Sequence, residues 1–211
     1  MVRELPSLII IHSGGQGISW DKLGETLWYD KSALSARNNR AVYIGKLRAL
    51  LETVGSCELS NDTGYWKFTS DDIFVDYLEY ASMDWSVEAD RGQIERLLSL
   101  TMAGNLLPDT DYRWLDKYKG EVADLVIDKL WQCSRKEDAG HMPEFLIAVA
   151  DAIFRFDQLN EHALYLKCRA YYVSGRHSSA KHAYDLFCTE YKEVYGKNFP
   201  YSFTELIEKE E

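Results

Sequence analysis

The chain has only four cysteines among 211 residues, Cys57, Cys133, Cys168 and Cys188, and no two of them form a CxxC pair. That spacing excludes a disulfide framework and the usual zinc ribbons, and leaves buried thiols of a reducing compartment as the reading. Long apolar runs are missing as well. The longest near the start is Leu8 to Ile11, far too short to span a bilayer or to serve as the hydrophobic part of a signal peptide. Positive charge is scarce: 24 Lys and Arg stand against 34 Asp and Glu, a net charge of −10. An even basic coat that would bind nucleic acid anywhere along the chain is thereby excluded. Aromatic residues are plentiful at 13%, and with 46% hydrophobic residues they supply a core and argue against disorder.

Recognisable catalytic patterns are also wanting. Ser13-Gly14-Gly15-Gln16-Gly17 is rich in glycine but lacks the Gly-Lys-Ser/Thr ending of a phosphate loop, so it reads as a turn. Asp109, Asp111 and Asp116 read as the start of a helix, with Asp111 as N-cap, rather than as a metal or acid–base cluster. His162, His177 and His182 are too widely spaced to combine with Cys168 and Cys188 as zinc ligands. No nucleophile–base arrangement stands out. The expectation is a protein that is not an enzyme and needs no cofactor or metal.

What the chain does have is a local concentration of positive charge. Residues 1–80 carry 8 Lys and Arg against 11 Asp and Glu; the remainder carries 16 against 23. Within the first part, Arg37, Arg40, Lys46 and Arg48 gather in one amphipathic segment whose only acid is Glu52. The spacing predicts a helix over about 35–54, capped by Ser32 or Ser35 and stopped by Gly55. Tyr43, Leu47, Leu50 and Val54 recur at helical spacing and are its expected core face. The opposite face carries Asn38, Ala41, Gly45, Arg48 and Ala49, with Arg37 and Lys46 on the flanks. Glycine inside a helix is unfavourable by roughly 1 kcal/mol relative to alanine. Gly45 lies away from the expected core, so a surface that approaches another molecule closely is its expected use.

Two helices precede this one. The first covers 3–12, with Leu5, Leu8, Ile9 and Ile11 inward; the second runs from an N-cap at Ser19 to Trp28. After it, Cys57-Glu58-Leu59 and Tyr65-Trp66-Lys67-Phe68 alternate around turn residues and predict a β-hairpin over about 57–68. Ile73-Phe74-Val75 is an expected edge strand, and Asp76 an expected helix start. From Val87 onward the pattern is all helix, in segments near 87–102, 111–133, 142–156, 160–173, 177–194 and 202–209. Pro108, Pro143, Gly175 and Pro200 punctuate them. Small residues at Ala163, Ala170 and Ala180, with Gly175 at the turn, suit a tetratricopeptide-type helical hairpin.

In this order the elements resemble a known family. Ile44-Gly45-Lys46-Leu47-Arg48 and Gly64-Tyr65-Trp66-Lys67-Phe68 resemble the recognition-helix and wing motifs of response-regulator (OmpR/PhoB) winged helices. Val75-Asp76-Tyr77-Leu78 and the Gly104-Asn105-Leu106-Leu107-Pro108 to Trp114-Leu115 segment resemble the bacterial transcriptional activation domain that follows in SARP-type activators. The family's first small sheet has no counterpart ahead of the first helix, which suggests a piece of a longer protein. The family's strongly basic recognition helix is diluted.

The resemblance implies a mainly α fold. A winged helix-turn-helix with a small β-hairpin is expected over 1–80, and a tetratricopeptide-like domain over 81–211. It implies a cytoplasmic transcriptional regulator that binds double-stranded DNA, with the third helix in the major groove. RNA polymerase, a regulatory region of a longer chain or a second protomer are the implied protein partners. The expected DNA contacts are Arg37, Asn38, Arg40 and Arg48 to bases, Lys31, Lys46 and Lys67 to phosphates, and Ala41 and Gly45 at the point of close approach. Arg40 falls near the core edge by its helical angle, and pairing with Asp30 or Glu25 is the alternative there. The alternative is a protein-interaction module whose winged helix no longer binds DNA.

Overall fold

The structure, a computed structural model, describes residues 4–86, 89–137 and 139–208. The fold is mainly α with one small antiparallel sheet near the N-terminus, and the chain divides into two compact units. The first comprises Met1–Asp84 with Tyr112–Trp114; the second comprises Trp85–Asp111 and Leu115–Glu211.

The first unit starts with α1 (Glu4–Ser13), which buries Leu5, Leu8, Ile9 and Ile11 as the sequence predicts. Strand β1 (Ile18–Ser19) follows a turn closed at Gly17, whose φ is +94°. A Cβ there would also lie 2.6 Å from the Trp66 carbonyl oxygen, so glycine meets two demands at once. Ser19 accepts a hydrogen bond from the Lys22 N–H and caps α2 (Trp20–Leu27), whose Leu23 and Leu27 are buried. Ser32 caps α3 (Ala33–Leu51) through the Ser35 N–H.

Strands β2 (Cys57–Asp62) and β3 (Tyr65–Ser70) form the expected hairpin, closed by Thr63-Gly64. Both turn residues have positive φ, +49° and +87°, the signature of a type I′ turn. The sheet order is β1-β3-β2, with Ile18 opposite Trp66 and Ser19 opposite Tyr65. Alternation along β3 turns Trp66 and Phe68 into the core. Ser13 ties α1 to this sheet: its hydroxyl donates to the Ile9 carbonyl at 2.7 Å and accepts from the Phe68 N–H at 2.8 Å.

Residues 73–75 are not a strand. The Ser70 hydroxyl accepts from the N–H groups of Asp72 and Ile73, which turns the chain away from the sheet and into α4 (Asp76–Ser82).

The second unit holds α5 (Arg91–Met102), α6 (Asp116–Ser134), α7 (Pro143–Phe156), α8 (Glu161–Val173), α9 (His177–Tyr195) and α10 (Phe203–Glu208). Asp90 and Gln93 make a capping box at the head of α5, and Asn160 caps α8 through the Ala163 N–H. Helices α7, α8 and α9 pack successively. Ala163, Ala170 and Ala180 are fully buried between them, and Gly175 turns α8 into α9 at a φ of +77°.

Asp111 is not an N-cap. Tyr112 and Trp114 leave the helical path with their rings stacked 5.7 Å apart, Trp114 packs against the first unit's core, and α6 begins only at Asp116.

Candidate nucleic-acid interface

Helix α3 carries four cations, Arg37, Arg40, Lys46 and Arg48, and no acid. Its core stripe is Ala36, Ile44 and Leu47, with Tyr43 and Leu51 partly buried beside them. Leu50 and Val54, expected inward, are 54% and 55% exposed. The reason is geometric. The stripe runs from Ala36 through Leu47 to Leu51, so Leu50 is rotated off it by about 100°. The helix ends at Leu51, where Thr53 and Val54 turn back onto the carbonyls of Leu50 and Leu51, and Val54 lies beyond the helical path.

This register decides which candidate residues share a surface. Asn38, Ala41, Gly45 and Ala49 lie on the solvent side, and beyond the adjoining backbone of α3 and the two neighbouring residues nothing lies within 4 Å of the position a Cβ would take at Gly45. Arg37 stands exposed on one flank. Lys46 stands on the other, its ammonium 5.4 Å from the Tyr43 ring centroid.

Arg48 reaches toward the hairpin. Its guanidinium lies 5.1 Å from the Trp66 ring centroid, and Nη2 donates to the Leu59 carbonyl at 3.4 Å. The side chain remains exposed at its edge and links α3 to β2 and β3. Trp66 therefore orients a candidate contact residue, a role that composition alone does not reveal.

Three candidates stand apart from that surface. Arg40 turns inward: Nη1 donates to the Trp20 carbonyl at 2.5 Å, and the guanidinium carbon lies 5.3 Å from the Trp20 ring centroid. It pairs with neither Asp30 nor Glu25, and it leaves the solvent-facing group because its angle coincides with the core stripe. Lys31 sits ahead of α3 and is paired with Asp30 at 2.8 Å. Their hydrogen bond holds the Asp30 carboxyl below its ordinary value and the Lys31 ammonium above it. Lys67 is partly buried on β3, opposite Ser60.

Two residues missing from the sequence-based set complete the outward face. Leu34 is 70% exposed and Val42 is 54% exposed. Helical counting places Val42 one turn beyond Asn38 and Leu34 one turn before it.

Among the described residues, no group of three or more His, Cys, Asp or Glu side chains is placed to hold a metal ion. Burial drives the Cys168 thiol up to about 12, and its Sγ–H donates to the Ala180 carbonyl, so it behaves as a packed thiol rather than a nucleophile. Among the described residues no helix is long and apolar enough to cross a membrane. No protein-family model matches the sequence, and neither a curated protein nor a solved structure matches it.

Proposed function

We propose that this protein is a cytoplasmic DNA-binding transcriptional regulator, an activator by its resemblance to SARP-type proteins. The observation that carries the reading is the outward face of α3. Asn38 stands there among uncharged residues, small at Ala41 and Gly45 and larger at Leu34 and Val42; cations flank it on both sides, and no acid occurs along the helix. A helix of this kind fits the major groove, with Arg37, Lys46 and Arg48 toward phosphates or groove edges. The β2–β3 hairpin, linked to α3 through Arg48, supplies the wing, and Lys67 and Lys31 lie within the same unit as further phosphate contacts. The chain's acidity opposes non-specific binding, so affinity rests on this local patch and falls steeply with salt.

The test is fluorescence anisotropy with a randomised duplex pool at about 50 and 200 mM salt, followed by sequencing of the bound fraction. Specific enrichment, steep salt dependence and loss of binding on combined Arg37→Ala and Lys46→Ala substitution support the reading. Binding that is absent at both salts, from a folded chain, overturns it.

A second reading, a protein-interaction module, draws on the helical unit. A cavity of about 470 Å³ there is lined by Asp157, Glu161, Tyr165, Phe199, Tyr201 and Glu205 among others, and offers carboxylates beside aromatic walls. Leu186, Val194 and Tyr195 are exposed on α9. If no duplex binds, RNA polymerase, a regulatory region of a longer chain and a second protomer are the partners to assay by pull-down with purified components and by sedimentation.

A further inference from the structure

The centre of the outward α3 face is apolar, although a DNA-reading helix ordinarily presents hydrogen-bonding side chains there. Leu34 and Val42 are large, exposed hydrophobics, and Ala41, Gly45 and Ala49 fill the space between and beyond them. Asn38 is the one amide at that centre, and the exposed cations Arg37 and Lys46 stand on the flanks. Guanine in the major groove presents two acceptors, best met by Arg or Lys at the centre of the contact. Thymine presents a C5 methyl group, the one apolar group on the groove floor, and adenine presents the N6/N7 pair that an Asn amide bridges.

We infer that α3 recognises A·T-rich sequence, with Asn38 reading adenine and Val42 and Leu34 packing on thymine methyl groups. This rests on the DNA-binding reading above and gives it a substrate class. Val42 follows Asn38 by four residues and Leu34 precedes it by four, so the three side chains line one stripe about a turn apart. An amide and its apolar neighbours then meet successive base pairs. Gly45 and Ala41 keep the backbone close enough to the groove floor for short side chains to reach it. The flanking Arg37 and Lys46 hold the phosphates and contribute no base preference.

The experiment uses the full chain and the duplex most enriched from the randomised pool. Thymines are replaced by deoxyuridine, singly and together, which removes only the methyl group. Each methyl that contacts Val42 or Leu34 is expected to weaken binding by roughly threefold to fourfold when lost, the size of one buried methyl group. The combined replacement is expected to weaken it at least tenfold. Val42→Ser is exposed enough to leave the fold intact, which circular dichroism verifies. It is expected to abolish the thymine–uracil difference at one position while leaving affinity for the uracil duplex unchanged.

An enriched duplex rich in G·C, or equal affinity for thymine and uracil duplexes, overturns the inference and leaves the DNA-binding reading standing. Absence of duplex binding overturns both. A dimer in sedimentation that Val42→Asp dissociates, with duplex binding unchanged by that substitution, assigns the stripe to a protein contact and overturns the inference.

Discussion

Arg40 donates a hydrogen bond from Nη1 to the main-chain carbonyl of Trp20 at 2.5 Å, and its guanidinium lies against the Trp20 ring. The approach is close enough that a Cβ at Gly24 would fall 2.7 Å from the same nitrogen. Arg40 thus fixes α3 against the start of α2, and its contribution is to the geometry of the unit. Arg40→Ala is expected to destabilise the protein by about 1–3 kcal/mol, since it strands a partly buried carbonyl and removes the packed stem. Urea denaturation measures this. A change under about 0.5 kcal/mol accompanied by a large loss of DNA affinity would return Arg40 to the contact surface.

Gly45 separates stability from binding. Nothing surrounds its missing side chain, so Gly45→Ala introduces no clash and gains helix propensity. It is expected to stabilise α3 by roughly 0.8–1.0 kcal/mol, read as a raised denaturation midpoint. Gly45→Leu is expected to weaken duplex binding at least tenfold by holding the helix off the groove. A stable Gly45→Leu protein with unchanged affinity would show that the outward face of α3 is not the contact surface.

The sequence and the structure agree where one side chain type has one physical reading. Ser19 was legible as an N-cap, Leu5, Leu8 and Ile9 as a buried face, and Thr63-Gly64 as part of a hairpin turn. Agreement failed where an apolar residue had two readings. Leu50 and Val54 seemed to extend the stripe of Leu47, yet Leu51 occupies the inward angle and the helix stops there. Arg40 was legible only in part: its angle falls near the core edge, but the partner it finds there is the Trp20 carbonyl rather than Asp30 or Glu25. Ile73 to Val75 had strand composition, but the Ser70 hydroxyl captured the amides a ladder would have used. The partners in these cases, Trp20 for Arg40 and Trp66 for Arg48, lie about twenty positions away along the chain, beyond what periodicity reports.

The hairpin turn offers a stabilising change. Thr63 occupies a φ of +49°, where a β-branched side chain is strained, while Gly64 at +87° is at ease. Asn tolerates the left-handed region and Asn-Gly is the preferred type I′ pair. Thr63→Asn is expected to raise stability by about 0.5–1 kcal/mol, part of the roughly 1–2 kcal/mol that the left-handed conformation costs an ordinary residue. Thermal denaturation checks it. An unchanged or lowered midpoint would mean that Thr63 has a compensating contact in the folded hairpin.

His12 gives the first unit a pH dependence whose sign follows from its surroundings. The side chain is half-buried at the end of α1, and burial, followed by the nearby Lys22 charge, pushes its pKa below the ordinary 6.5. Well above pH 6.5 the imidazole is neutral in both folded and unfolded chains, and it adds little pH dependence. As pH falls below that value, the unfolded chain takes up a proton that the folded chain resists until its lower pKa is reached. The unfolded state then binds more protons, so stability declines across that window and levels off below the folded pKa. His12→Gln removes the titration. The difference in unfolding free energy between wild type and His12→Gln is therefore expected to be constant from pH 8 to 7 and to shift against the wild type between pH 6.5 and 5. Equal pH profiles for the two proteins would show that His12 takes up its proton as readily in the folded chain as in the unfolded one.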